Sequence, residues 1–285
     1  MESQRTIHVA HSPDSDDAFM FYALAEGLIE TGGLRFVHEL QGIQSLNERA
    51  MRGELEVSAV SIHAYAYLTD RYLLLPHGAS MGERYGPRLV SRSPLDLSEI
   101  RKSVVAVPGH LTSAYLGLKL WAPEIETVEV PFDEIQEGVV DGTYDVGLII
   151  HEGQLTYGDS GLHMLLDLGE WWHGETGLPL PLGGNVIRRD LGDELIREAS
   201  RLLFESIQYS LDHREAGMNY AMQFARGLAP QVADEFVGMY VNQRTLDYGA
   251  DGRAAVRLFL ERGVEAGIVP GPVNVEFAEL SPAVS

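Results

Sequence analysis

Short apolar runs bounded by turn residues alternate with segments of helical period along the first two-thirds of the chain, the pattern of βα units. Thr6 to Ala10 reads as the first strand. It stops at HSPDSDDAFMFYALAEGLI, where Ser12, Pro13 and three aspartates precede an apolar-periodic helix, with Ser15, Asp16 or Asp17 placed to cap it. LRFVHEL then predicts a strand, IQSLNERAMRGE an amphipathic helix ending at Gly53, and LEVSAVS a further strand that delivers Ser61 and His63 to a helix start. RLVSR and SVVAVP are strands on either side of the helix start SPLDLSEI. GHLTSAYLGLKLW is a glycine turn leading into a helix whose first residues include Thr112 and Ser113. IETVEVPF and DEIQEGVVDGTYD make another strand and helix, leading to the run VGLII. That run is β-branched and unalternated, which suits a buried parallel strand covered on both faces. It ends at His151 and Glu152, followed by glycine- and proline-rich turns.

Beyond NVIRRDL the character changes to long amphipathic helices, from ELIREASRLLFESIQYSLDHR to GRAAVRLFLERGVEAGI. Their Phe204, Tyr209, Met222 and Phe224 read as packing positions. Two βα series with helices returning at the end predict two α/β lobes: residues 1–92 plus 190–285 as a larger, discontinuous lobe, and 93–189 as a smaller inserted one. Ligands of open α/β sheets gather at the carboxyl ends of strands, and clefts between domains are favoured small-molecule sites. The loops at 12–17, 61–63, 109–113 and 151–157 are expected to meet in such a cleft.

Composition narrows what the cleft handles. The chain's 285 residues, 45% hydrophobic, suffice for two modest lobes with a proper core. A formal charge of −21 repels phosphate backbones, so nucleic acid is not an expected partner. An anionic ligand must then be held by local donors, such as amides at helix N-termini. The absence of cysteine excludes disulfides, thiolate zinc sites and a cysteine nucleophile. Without a signal-like N-terminus or a run of about 18 apolar residues, the expectation is a cytoplasmic protein with no membrane insertion.

Familiar catalytic signatures are missing. No serine lies in a GxSxG elbow, and no strand-GxGxxG-helix unit marks a nucleotide site. Neither HExxH nor a calcium-loop pattern appears, so no metal is expected. His151 as a lone general base suffices for proton abstraction or a retro-aldol-like cleavage, because imidazole titrates near neutral pH. The bland alternative is a histidine that merely lines the cavity. The paired hydroxyls of Thr112 and Ser113 admit two readings, an ordinary N-cap or a carboxylate site.

Taken together, SPDSDDAFMFYAL, VSIHAYAYL, LLPHGASMGERYGPRLV, VPGHLTSAYL, HEGQLTY and DLGEWWHGETGLPLPLGG resemble the 1,4-dihydroxy-6-naphthoate synthases of the futalosine route to menaquinone. The resemblance reaches to about Arg189. It implies a two-lobed periplasmic-binding-protein-like (type II) fold, no cofactor, and a lyase that converts cyclic dehypoxanthinyl futalosine to 1,4-dihydroxy-6-naphthoate. It places the catalytic base on His151 and ligand-carboxylate contacts on Thr112 and Ser113. Ser12, Asp14, Asp17 and Ser61 are further substrate-binding candidates by their position at the carboxyl ends of strands. The expected partner is a small molecule, and a homodimer is compatible with it. Two loops depart from the family: SPCPNDT is replaced by SPDSDDA, and GxGCGP by GERYGP. Asp16 adds a negative charge that Arg84 is placed to offset. A non-catalytic solute-binding paralogue with the same cleft is the competing reading.

Overall fold

In the computed structural model, which describes residues 5–278, the strands are β1 (Arg5–His11), β2 (Leu34–Leu40), β3 (Val57–Ser61), β4 (Tyr72–Leu74), β5 (Ser80–Gly82) and β6 (Arg88–Ser91). Then follow β7 (Val104–Val107), β8 (Glu126–Glu129), β9 (Val146–Ile149), β10 (His163–Asp167) and β11 (Leu180–Arg188). They form two sheets. The first has the order β2-β1-β3-β11-β4, with β5 also beside β11; β1 runs parallel to β2 and β3, and β11 runs antiparallel to its neighbours. The second has the order β10-β6-β9-β7-β8, parallel from β9 to β8 and antiparallel around β6. The central strands β3 and β9 are buried at every position, which is why their sequences do not alternate.

The lobes divide differently from the sequence expectation at 93 and 189. Strand pairing puts β6 in the second sheet and β11 in the first, so the chain crosses between sheets before Arg88 and again before Leu180. β11 is hard to foresee because Pro181, Gly183 and Gly184 read as a turn. The strand accommodates them through a register shift between Pro181 and Gly183, opposite β5. The stretch before it also holds a helix, Leu168–Thr176, whose N-terminus is capped by Asp167 accepting from the Gly169 and Glu170 amides at 2.9 and 3.2 Å.

Helix Ser15–Ala25 follows β1 at once. It packs between the sheet and helices Asp193–Asp212 and Arg214–Ala221, and nearly all its residues are buried. Its cap position falls on Asp14 rather than Ser15, Asp16 or Asp17, and the Asp14 carboxylate makes no capping bond. That carboxylate is engaged elsewhere. Helix Ile43–Arg52 ends as expected at Gly53, in the left-handed region at φ 72°. One apolar cluster runs through both lobes, including Val60, Leu89, Val105, Leu148, Trp172 and Phe259. Trp172 is fully buried, and its indole N–H donates to the Pro179 carbonyl at 3.0 Å. Among the described residues no helix is long and apolar enough to cross a membrane.

Candidate functional site

Between the lobes lies a cleft of ≈ 750 Å³, including the part open to solvent. Ser12, Asp14, Asp17, Ser61, Thr112, Ser113 and His151 all line it. The structure therefore gathers every sequence-predicted site residue around one space, from four strand ends.

One end is built from hydroxyls and a helix start. Thr112 occupies the N-cap of helix Ser113–Trp121, accepting from the Tyr115 amide at 3.2 Å and donating to the Gly109 carbonyl at 2.7 Å. Ser113 Oγ donates to the Leu182 carbonyl at 2.6 Å and accepts from the His63 amide at 3.1 Å. The Thr112 hydroxyl is thus spent within its own lobe, while that of Ser113 ties lobe to lobe. The first amides of the helix have no intrahelical acceptor, and Thr112, Ser113 and Ala114 at this helix start all line the cleft. Ser61 is held by Asn47, whose amide donates to its hydroxyl at 3.1 Å and accepts from its N–H at 2.9 Å. Sequence reasoning missed Asn47. The available signal was an asparagine on the apolar face of an amphipathic helix, between Leu46 and Ala50. His63 is a buried helix residue whose Nδ1 lies 3.2 Å from the Thr112 carbonyl.

The other end is ionic. His151 leaves β9 with φ 55°, a backbone conformation rarely adopted by residues other than glycine, and its Nδ1 lies 3.0 Å from Asp14 Oδ2. The second Asp14 oxygen takes an ion pair with Arg226, and Ser12 Oγ also donates to the carboxylate. Phe132 fills the gap beneath, edge-on to the His151 ring at 4.7 Å and faced by the Arg226 guanidinium at 4.6 Å. His151 Nε2 has no hydrogen-bond partner. Burial works against the imidazolium, but the charge and hydrogen bond of Asp14, aided by Glu152 and Asp16, outweigh it and raise His151 to about 9. Burial likewise opposes the Asp14 carboxylate, yet His151 and Arg226 hold it down at about 2.

Asp16 and Asp17 behave oppositely. Burial pushes Asp17 up to about 7, although its carboxylate accepts from the Ser12 amide at 2.7 Å. Asp16, buried and repelled by Asp17 and Asp14, is raised well above the carboxylate range. The loop therefore presents less negative charge than its sequence suggests. Arg84 does not offset it. Its guanidinium is exposed and donates to His173 at 3.1 Å. The compensating cation is Arg226, from the helical C-terminal region, which sequence reasoning passed over. Tyr85 of the GERYGP loop packs edge-on to Tyr240 at 5.7 Å, and the Tyr240 hydroxyl and Gln154 amide are hydrogen-bonded, 2.8 Å apart, across the cleft. Among the described residues no group of three or more histidine or acidic side chains is arranged to hold a metal ion.

Two α/β lobes flanking a cleft define a fold of the periplasmic-binding-protein type. The alkanesulfonate-binding protein SsuA of Xanthomonas axonopodis pv. citri shares this fold, with a TM-score of 0.74 at 12% identity over 96% of this chain and 98% of that one. More narrowly, the chain belongs to the menaquinone biosynthesis family, which it matches over residues 7–265. Its relatives include proteins named 1,4-dihydroxy-6-naphthoate synthase from Streptomyces coelicolor, 39% identical over 96% of this chain and 99% of that one, and from Thermus thermophilus, 40% identical over 93% and 97%. A crystal structure of an Archaeoglobus fulgidus protein superposes with a TM-score of 0.90 at 43% identity, covering 94% of this chain and all of the other. The chain is thus an enzyme with a role in menaquinone biosynthesis.

Proposed function

We propose that the protein is a lyase that converts cyclic dehypoxanthinyl futalosine to 1,4-dihydroxy-6-naphthoate, with His151 as general base. The observation that carries this reading is the Asp14–His151 contact at 3.0 Å, made while the opposite ring nitrogen has no protein partner. A carboxylate that fixes Nδ1 sets the tautomer and stabilises the imidazolium formed when Nε2 takes a proton. The substrate carboxylate is assigned to the N-terminus of helix Ser113–Trp121, where Thr112, Ser113 and Ser61 converge and local dipoles replace the missing positive field. Ser12 and Asp17 supply the facing wall of the loop, and Asp14 acts through the histidine rather than on the ligand. Closure of the lobes on the ligand keeps water from the reacting atoms.

With His151 raised to about 9, roughly one molecule in a hundred carries the neutral base at pH ~7 before substrate binds. The price of that small fraction is offset by the strength of the base once formed. Incubation with cyclic dehypoxanthinyl futalosine, followed by chromatographic detection of the naphthoate, tests the proposal. Product formed by the wild type and lost in His151→Ala is the expected result. Binding of the substrate with no product would instead support the solute-binding reading.

A further inference from the structure

The cleft floor contains a polar group that the proposed chemistry does not use. Asn185, on β11, is only 1% exposed and lines the cavity, and its Nδ2 has no hydrogen-bond partner. Strand register explains its direction. Gly183 pairs with Ser61 and Asn185 with Ala59, so these four residues share the face of the sheet that lines the cleft. Gly183 itself lines the cavity and has no side chain to project into it between Ser61 and Asn185. Two residues along a strand span about 7 Å. This is comparable with the span of a fused bicyclic acid from its carboxylate to its far ring oxygen.

A purely structural role is poorly supported by the bonds around Asn185. The neighbouring turn is held by backbone groups: the Gly78 amide donates to the Thr245 carbonyl at 2.6 Å, and the Leu75 amide to the Asn185 backbone carbonyl at 2.8 Å. Gly78 matters for a different reason. A Cβ there would lie 2.1 Å from Nδ2, so the glycine is what lets the carboxamide sit where it does.

We propose that Asn185 is a specificity residue, donating an amide N–H to a ring oxygen of the bound acid while the carboxylate sits at the Thr112–Ser113 helix start. The inference rests on the proposed function for the carboxylate end. It predicts selection for oxygenated over bare bicyclic acids. Affinities for 1,4-dihydroxy-6-naphthoate and for unhydroxylated naphthoate, measured by calorimetry on the full chain, test it. Wild type is expected to prefer the dihydroxy acid by about tenfold, the size of one neutral hydrogen bond in a buried site. Asn185→Ala should bring the two affinities close to parity by weakening only the hydroxylated ligand. Asn185→Asp, nearly isosteric, cannot donate when ionised and should lose the preference as well, which covers the case in which the alanine variant folds poorly. Preference retained in both variants overturns the inference. So does an equal weakening of both ligands accompanied by a lowered melting temperature, or a wild type that does not discriminate or binds neither acid. A wild type that discriminates but forms no product from the cyclic substrate refutes the proposed reaction and leaves the Asn185 assignment standing.

Discussion

Asp14 and His151 ionise as a pair, and each is held charged by the other against the cost of burial. If His151 is the base, kcat/KM should climb with pH through about 9 in the wild type. In Asp14→Asn the opposing carboxylate is gone and burial dominates, so the midpoint should fall below the ordinary imidazole value of about 6.5. A midpoint that does not move rules out the pairing. Stability follows the same linkage. The raised His151 value contributes stability that is complete below pH ~6.5 and lost as pH rises through about 9, so the melting temperature of the wild type should decline across that window and that of Asp14→Asn should stay flatter. The depressed value of Asp14 acts at the other extreme, its contribution being lost as pH falls through about 2. His151→Ala should lower turnover about a hundredfold or more, the usual loss for a general base, while near-ultraviolet circular dichroism stays native.

At the level of elements, the helix start at Thr112 serves two ends. Its hydroxyl caps the helix and its neighbours bridge the lobes. Thr112→Ala should cost about 1 kcal/mol in chemical denaturation, as for other lost N-caps, and Thr112→Ser should restore most of it. An alanine variant as stable as the wild type would show that the cap carries no load. This helix start, strand β2 and helix Ile43–Arg52 were legible in the sequence because their signals are local: periodicity, hydroxyls before an apolar run, and a terminal glycine. Ser12, Ser61 and His151 were legible as strand ends. β11 was not, since proline and paired glycines mask a strand whose register is set by its partners. Nor were Arg226 or the Asp14–His151 contact, because each depends on which distant segments the fold brings together, and Asn47 was masked as an ordinary position of an amphipathic helix although its partner Ser61 is near in sequence.

For the molecule as a whole, the net charge of −21 opposes the approach of an organic anion, while the cleft supplies donors only at short range. Association of the substrate should therefore quicken as salt is added, because the Debye length shrinks from about 30 Å at 0.01 M to about 8 Å at 0.15 M. Stopped-flow tryptophan fluorescence reads this directly, and a rate that falls with salt would place an attractive field at the cleft mouth. Once bound, the ligand meets both lobes, and saturation at about a hundred times Kd should stabilise the fold by about 2.7 kcal/mol in a thermal-shift measurement.

The register shift between Pro181 and Gly183 decides which residues of β11 look into the cleft. Moving the strand by one residue would turn Gly183 and Asn185 away and present Gly184 and Val186 in their place. A single-residue insertion or deletion there would therefore rewrite the whole floor at once. Loops at the rim can change length and adjust specificity gradually, but along β11 relatives can diverge in substrate only by exchanging one side chain for another at fixed length.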